Sequence, residues 1–233
     1  MIGKWGLFRQ KSLILGLSLL LGAQAVAQAS GPASSTLGFS FDFPGSDPEH
    51  YVITIASDGQ ATYESNGKLS SEAEGNDTYR FTFAVSQATC RQIFDLAKKA
   101  HYFENQIDSG KKNLASTGVK VLSYSASGKT NQATYNYSLL PAVQELTRLF
   151  QNLSSTLEFG RRLQYFHKYQ KLALSEELKQ MEDMSSRNEL EEVQAIAPIL
   201  QKIVDDPSVI NVVRGRAMRL LAGVDQSTGS GSK

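Results

Sequence analysis

The apolar pattern is strongest in the second half of the chain, from Ala142 to Gln170. Val143, Leu146, Leu149, Phe150, Leu153 and Leu157 recur at the helical period. They make a stripe about 100° wide, which predicts one long helix laid on a core. Beyond Leu157 the stripe changes sides. Phe159, Leu163 and Phe166 fall on a different face and Tyr165, Tyr169 and Leu172 on a third, so the far end of this helix needs partners that the near end lacks.

Upstream the period is two. Leu37, Phe39, Phe41 and Phe43 alternate with Gly38, Ser40 and Asp42, the pattern of a half-buried strand, and Pro44-Gly45 ends it. Tyr51–Ile55 and Ala61–Tyr63 flank Asp58-Gly59, which predicts a hairpin closed by a type I′ turn with positive φ at both central residues. A polar loop from Asn66 to Thr78 leads to a strand at Tyr79–Phe83. Ser86 is placed to cap a helix whose stripe is Cys90, Ile93, Phe94 and Ala97, with Lys98 and Lys99 suited to the negative end of its dipole. A second polar loop, Glu104 to Gly118, precedes another hairpin, Val119–Tyr124 and Ala133–Tyr137 around Ser127-Gly128. Pro141 opens the long helix, where a missing N–H costs little.

After Leu174 only helical signals remain. Ser175, Glu176 and Glu177 start a short helix ending near Met184. Asn188 with Glu191 reads as a capping box for a helix carrying Leu190, Val193, Ala197, Leu200 and Val204, kinked at Pro198. Asp206-Pro207 starts the last helix, with Val209, Ile210, Val213, Ala217, Leu220 and Leu221 inward and Gly223 as its stop. The predicted fold class is α+β: an antiparallel sheet of two hairpin units with helices on one face, and a long helix leading to a C-terminal helical appendage. The expected divisions are a signal peptide over 1–29, a linker over 30–36, the α+β domain over 37–174, the appendage over 175–224 and a disordered tail over 225–233.

The N-terminus sets the destination. Lys4, Arg9 and Lys11 precede the run LILGLSLLLGA, and Ala27-Gln28-Ala29 before Ser30 has the small-x-small form of a cleavage site, preferred over one after Ala25. An uncleaved anchor is the rival reading, but the apolar run is roughly 15 residues against the ~20 that span a bilayer. The leader thus predicts an exported, periplasmic or extracellular protein with no stable membrane insertion after cleavage. Removing its three basic residues from the 24 in the chain leaves 21 against 23 acidic ones, so no overall field draws it to nucleic acid or anionic lipid. Cys90 is the only cysteine, which leaves no internal disulfide, and its place on an apolar stripe reads as a buried structural thiol.

The stretch from about Phe41 to Phe166 contains Ile53-x-Ile55, Asp58-Gly59 and Tyr63, the Tyr79-Arg80-Phe81 strand, the Phe94 to Phe103 helix, Tyr135-Asn136-Tyr137, and Val143, Leu146 and Leu149-Phe150. In these features, somewhat over half of the chain resembles a class of small, uncharacterised secreted bacterial α+β domains with a ββαββα layout, a domain of unknown function. The resemblance implies export and an α+β fold. It carries over no catalytic residue, and the helices after Leu174 fall outside it.

Candidate chemistry is sparse. Asp108-Ser109-Gly110-Lys111-Lys112 fails as a phosphate loop, because Asn105 stands where the first glycine belongs and Lys112 where a Ser or Thr belongs. There is no Gly-x-Ser-x-Gly elbow and no Gly-x-Gly-x-x-Gly fingerprint. His50, His101 and His167 have no metal-ligand spacing, and neither a metal nor a cofactor is predicted. The pairs Glu176/Glu177, Glu191/Glu192 and Asp205/Asp206 all lie at predicted helix starts, where the dipole favours negative charge. Arg214, Arg216 and Arg219 read as a solvated helix face, and the sequons at Asn76, Asn136 and Asn152 matter only in a eukaryotic secretory pathway.

The strand tyrosines Tyr63, Tyr79, Tyr124, Tyr135 and Tyr137 leave two readings open: packing against the helices, or a binding face on the uncovered side of the sheet. The binding candidates are Tyr124, Tyr135, Asn136 and Tyr137. The expectation is an exported soluble binding or interaction module whose partner is a protein or a cell-envelope polymer. Its alternatives are a small exported hydrolase, using groups such as His50, His101, Glu104 and Asp108 brought together by the fold, and a structural module of an envelope assembly.

Overall fold

A computed structural model describes residues 34–67, 69 and 78–229. The leader with its Ala29/Ser30 junction, most of the linker, most of the loop after Asn66 and the last four residues lie outside the described residues. Six strands form one antiparallel sheet: β1 (Thr36–Asp42), β2 (His50–Ala56), β3 (Gln60–Ser65), β4 (Tyr79–Ala84), β5 (Val119–Ala126) and β6 (Lys129–Tyr135). Their order is β4-β3-β2-β1-β5-β6, so the second hairpin joins the first four strands through β1 and β5, with Phe39 opposite Leu122. Among the described residues the α-helices are α1 (Gln87–Lys99), α2 (Pro141–Tyr169), α3 (Leu174–Ser186), α4 (Ala197–Asp205) and α5 (Asn211–Gly229). The fold is α+β, as the two periods predict.

Alternation explains the layers. Leu37, Phe39 and Phe41, with Tyr51, Ile53 and Ile55 beside them, are buried under the helices, while Thr36, Gly38, Ser40, Thr54 and Thr62 look the other way. The turn at Asp58-Gly59 is not the type I′ turn predicted for it. At Ser57-Asp58-Gly59 only Gly59 has positive φ, its N–H donates to the Ala56 carbonyl, and Gln60 pairs onward, which is a type I turn followed by a glycine bulge. The type I′ turn is the other one, with Ser127 and Gly128 at φ 50° and 79°. Ser86 caps α1 by accepting the Thr89 N–H, and Cys90 is buried against the β2 end, where desolvation raises its thiol pKa.

Helix α2 is buried on its sheet face over the first four turns: Phe150 stacks on Phe39 at 5.0 Å between ring centroids. From Asn152 to Arg161 every residue but Ser155 is buried, because α3 and the 193–205 segment close over the far half. Phe159, Leu163 and Phe166 are covered, as the change of faces requires; Tyr169 and Leu172 are not, at 61% and 89% exposure. Gly160 is the contact point with Ile196: a Cβ on Gly160 would meet Ile196 Cγ2 closer than real Cβ atoms approach, with Ile196 Cβ at 3.1 Å. Gly160→Ala gains helix propensity worth ~1 kcal/mol but overpacks at a cost of ~1–3 kcal/mol. The expected net is a loss of up to about 2 kcal/mol in chemical denaturation. Ile196→Leu removes the offending branch and should restore part of that loss in the double variant; additive effects would refute the contact.

Several expectations in the C-terminal helices are corrected. Asn188 adopts φ 56° just past the end of α3 and Glu192 the same φ before the next helical turn, so Asn188–Glu191 is no capping box. Pro198 stands in the first turn of α4 and starts it instead of kinking a longer helix. Helix α5 begins at Asn211 and leaves Ile210 60% exposed; it passes through Gly223 to Gly229, without the stop predicted at Gly223. Phe43 lies beyond β1 and is exposed. Arg216 and Arg219 both pair with Glu182 of α3; Arg216 is partly buried there, while Arg219 stays exposed, as the solvated face predicts.

Candidate functional site

The tyrosines are on the helix-covered side. Register puts Tyr63 opposite Phe81 and Ile53, and Tyr135 opposite Lys120, all in the buried layer. Tyr135 is 3% exposed and its hydroxyl meets Thr147 Oγ1 at 2.6 Å; Tyr124 is half-buried and stacks on Tyr102 at 4.4 Å. The uncovered sheet face carries Thr, Ser, Val and Gln side chains with the Asp42–His50 and Glu64–Arg80 pairs, so a tyrosine-rich open face does not form. Tyr135, Asn136 and Tyr137 nevertheless converge, on the other side of the sheet, in a cleft of about 260 Å³ with Lys120, Gln144, Thr147, Arg148 and Gln151. Tyr124 is not part of it.

Lys120 anchors that cleft. It is 4% exposed, and its Nζ donates to the carbonyls of Thr117, Gly118 and Asn136 and to Thr117 Oγ1, at 2.8 to 3.2 Å. Its ring partner is Phe41, and burial lowers its pKa. Asn136 ties the 115–117 segment to β6 by donating to Ala115 and accepting from Thr117.

A second cleft, of about 340 Å³, follows along the same side of α2, and Gln151 lines both. Its floor is aromatic, from Phe41, Tyr51 and Phe159; its walls are Ser46 and Asp47 of the β1–β2 loop, Ser154, Ser155, Glu158 and Arg162 of α2, and Gln180 of α3. Gln144, Thr147, Gln151, Ser154, Glu158 and Arg162 recur every three or four residues, so one polar edge of α2, beside its apolar stripe, serves both clefts.

Behind the second cleft lies a buried polar cluster. Glu158, 2% exposed, accepts on Oε1 from the Tyr63 hydroxyl at 2.7 Å and the Ser65 hydroxyl at 2.5 Å, and Tyr63 also meets Ser154 Oγ at 3.0 Å. Glu158 Oε2 is 3.6 Å from Arg161 Nη1, which pairs the charges but is too long for a hydrogen bond. The Arg161 guanidinium lies 5.1 Å from the Tyr79 ring centre, and burial, with the Glu158 carboxylate beside it, pushes Tyr79 up to about 12. Burial, with the Glu158 carboxylate beside it, raises the Tyr63 pKa well above its ordinary value, so it is a neutral donor. Sequence reasoning missed this pair. The available signal was a carboxylate and a guanidinium three residues apart where the apolar stripe of α2 changes faces, between Leu157, Phe159 and Leu163.

The other candidate groups stay apart. His50 Nδ1 bonds Asp42 at 2.7 Å at the sheet end; His167 Nε2 bonds Asp206 at 2.9 Å beyond α4; His101 is exposed at φ 50°. The Asp108 carboxyl pKa is lowered by the backbone N–H groups of Gly110 and Asn136, which it uses to hold its loop against the end of β6. The hydrolase set His50, His101, Glu104 and Asp108 therefore does not assemble. Glu191 and Glu192 sit at the N-terminus of α1, not of their own helix: Glu192 accepts the Ser86 N–H, and Glu191, its pKa raised by burial, meets Thr89. They line a third cleft of about 700 Å³ against α5. Asp206 gathers Lys171, Ser208 and His167, and the Lys171 ammonium above all holds its pKa far below the ordinary range. Among the described residues no group of three or more His, Cys, Asp or Glu is placed to hold a metal ion, and no helix is long and apolar enough to cross a membrane. No family model matches the chain, and no curated protein matches it in sequence.

Proposed function

We propose that this chain is an exported binding module of the bacterial periplasm or cell envelope, and that its ligand lies along the polar edge of α2. The observation that carries the reading is the meeting of two clefts at Gln151: together they make a groove with aromatic floor and amide, hydroxyl and charged walls, the mixture that orients a ligand through polar groups over an apolar base. The basic and apolar leader with its small-x-small junction supports export. The four sequence candidates shift accordingly. Tyr135, Asn136 and Tyr137 belong to the groove, and Tyr124 does not.

The test separates the groove from the open sheet face. Gln151 and Thr62 are both exposed, so a tryptophan at either position leaves the core alone. Retention of the protein on an immobilised envelope fraction should fall at least tenfold with Gln151→Trp and remain with Thr62→Trp. The reverse result would move binding to the open face, and no retention of the wild-type chain would remove the reading.

A further inference from the structure

The four most exposed large apolar side chains among the described residues are Tyr169, Leu172, Ile210 and Val212, each at least 60% exposed. They fall on two helix corners. Tyr169 and Leu172 lie where α2 ends and α3 begins, while Ile210 and Val212 stand just before α5 and in its first turn. The corners are clamped to one another: Asp206 accepts from His167 at 2.9 Å and from Lys171 at 2.6 Å, and Lys171 also reaches Ser208. Beneath the clamp Phe166, Leu174, Val209 and Val213 are buried, so the exposed four are presented on a fixed base. Single exposed apolar residues are ordinary on a protein surface, but a group of them rimmed by polar residues marks a contact.

The shape of the corners selects the partner. Leu172 is 89% exposed, so nothing of the protein's own surface rises beside it and the corner protrudes. A protein partner would have to bring a pocket for each such side chain; a bilayer takes a protrusion without one. The composition agrees. Tyr165 and Tyr169 pack at 5.2 Å between ring centroids, and the Lys168 ammonium lies 4.7 Å from the Tyr169 ring centre. Amphipathic rings and long cationic side chains settle at headgroup level, with aliphatic residues below them. The exposed Asp205 and Glu176 offset Lys168 and Lys171, so the contact depends on the apolar side chains and not on lipid charge. We infer that the paired corners are a lipid-contacting tip, which seats Tyr169, Leu172, Ile210 and Val212 in the interface of a bilayer without crossing it. Helix α2 carries Gln151 of the groove roughly 27 Å along its axis from Tyr169, so contact at the tip leaves the groove open.

Two measurements test it on Pro32–Lys233, a compact unit by itself. It omits the apolar N-terminal run, which would bind lipid on its own, and the single tryptophan, Trp5, so one reporter can be added at a time. Leu172→Trp should blue-shift its emission when vesicles of phosphatidylethanolamine and phosphatidylglycerol are added, and lipids brominated on their acyl chains should quench it. Leu139→Trp, also exposed but ahead of the other end of α2, should do neither. In co-sedimentation with the same vesicles, Leu172→Asp should lower the bound-to-free ratio roughly tenfold. Its melting transition should stay that of the parent, because the side chain it replaces is not part of the core. No shift and no quenching for Leu172→Trp, or equal retention of Leu172→Asp, overturns the inference. So does concentration-dependent association in lipid-free ultracentrifugation that Leu172→Asp abolishes, which would make the tip a contact between copies of the chain.

Discussion

Replacing Glu158 with alanine is expected to lower stability by ~3–5 kcal/mol, the range for breaking a buried ion pair from one side. Three groups lose their acceptor or counter-charge together. The Tyr63 and Ser65 hydroxyls, both in the buried layer of β3, no longer donate to Oε1, and the Arg161 guanidinium, 4% exposed, loses the carboxylate 3.6 Å away. Tyr63 keeps Ser154, so the hydroxyl loss falls mainly on Ser65 and the charge loss on Arg161. For a chain of this size each kcal/mol moves the midpoint by roughly 2–4 °C. The melting temperature should therefore fall by roughly 6–20 °C. Glu158→Gln keeps an oxygen for the two hydroxyls and removes only the charge, and should cost less than the alanine. An alanine variant within 1 kcal/mol of wild type, on the scale of a solvated surface pair, would mean that the carboxylate is not buried in solution.

How much of this could be read beforehand depends on the range of the interaction. The stripe Val143 to Leu157 and the alternation of Leu37, Phe39 and Phe41 are local patterns, and each ends buried against the other, with Phe150 on Phe39. The pattern also announced that Phe159, Leu163 and Phe166 needed cover. Parity alone showed that Tyr135 and Tyr137 share a side, but not which side the helices take, because tyrosine suits either face of a strand. The result is that Tyr135 packs inward on Thr147 and Tyr137 reaches the groove rim through Gln144. Capping signals failed where the acid serves another helix: Glu192 lies 106 residues from the Ser86 N–H it accepts. Gly223 failed as a stop for a different reason. A glycine costs a helix only ~1 kcal/mol, which does not end it without a turn beyond. The Glu158 cluster was hidden because charged residues three apart in an amphipathic helix read as a solvent-facing pair until α3 and the 193–205 segment are seen to close over them.

A chain ending at Leu174 is expected not to fold, which makes the C-terminal helices part of the core and not an ornament of it. They bring Leu178, Met181, Ile196, Leu200 and Ile203 against the far half of α2, in one continuous buried cluster with the sheet. Removing them exposes Phe159, Leu163 and Phe166, now at most 8% exposed. At ~1.5–3 kcal/mol for each large apolar side chain returned to water, those three alone forfeit ~5–9 kcal/mol. A whole domain is stable by only ~5–15 kcal/mol. The cut also removes the Asn188 carbonyl that Asn152 donates to, the Glu191 N–H that Thr156 accepts, and Glu177, which accepts from Arg162 at 2.7 Å. The truncated protein should be recovered aggregated, or with collapsed amide dispersion and no cooperative melt, while the chain with its C-terminal helices shows both dispersion and a single transition. If residues up to Leu174 instead melt cooperatively with native-like dispersion, the far half of α2 is stable in water by some other means. The cleft wall supplied by Gln180 would then be dispensable for the fold, and the groove could be studied on the shorter chain.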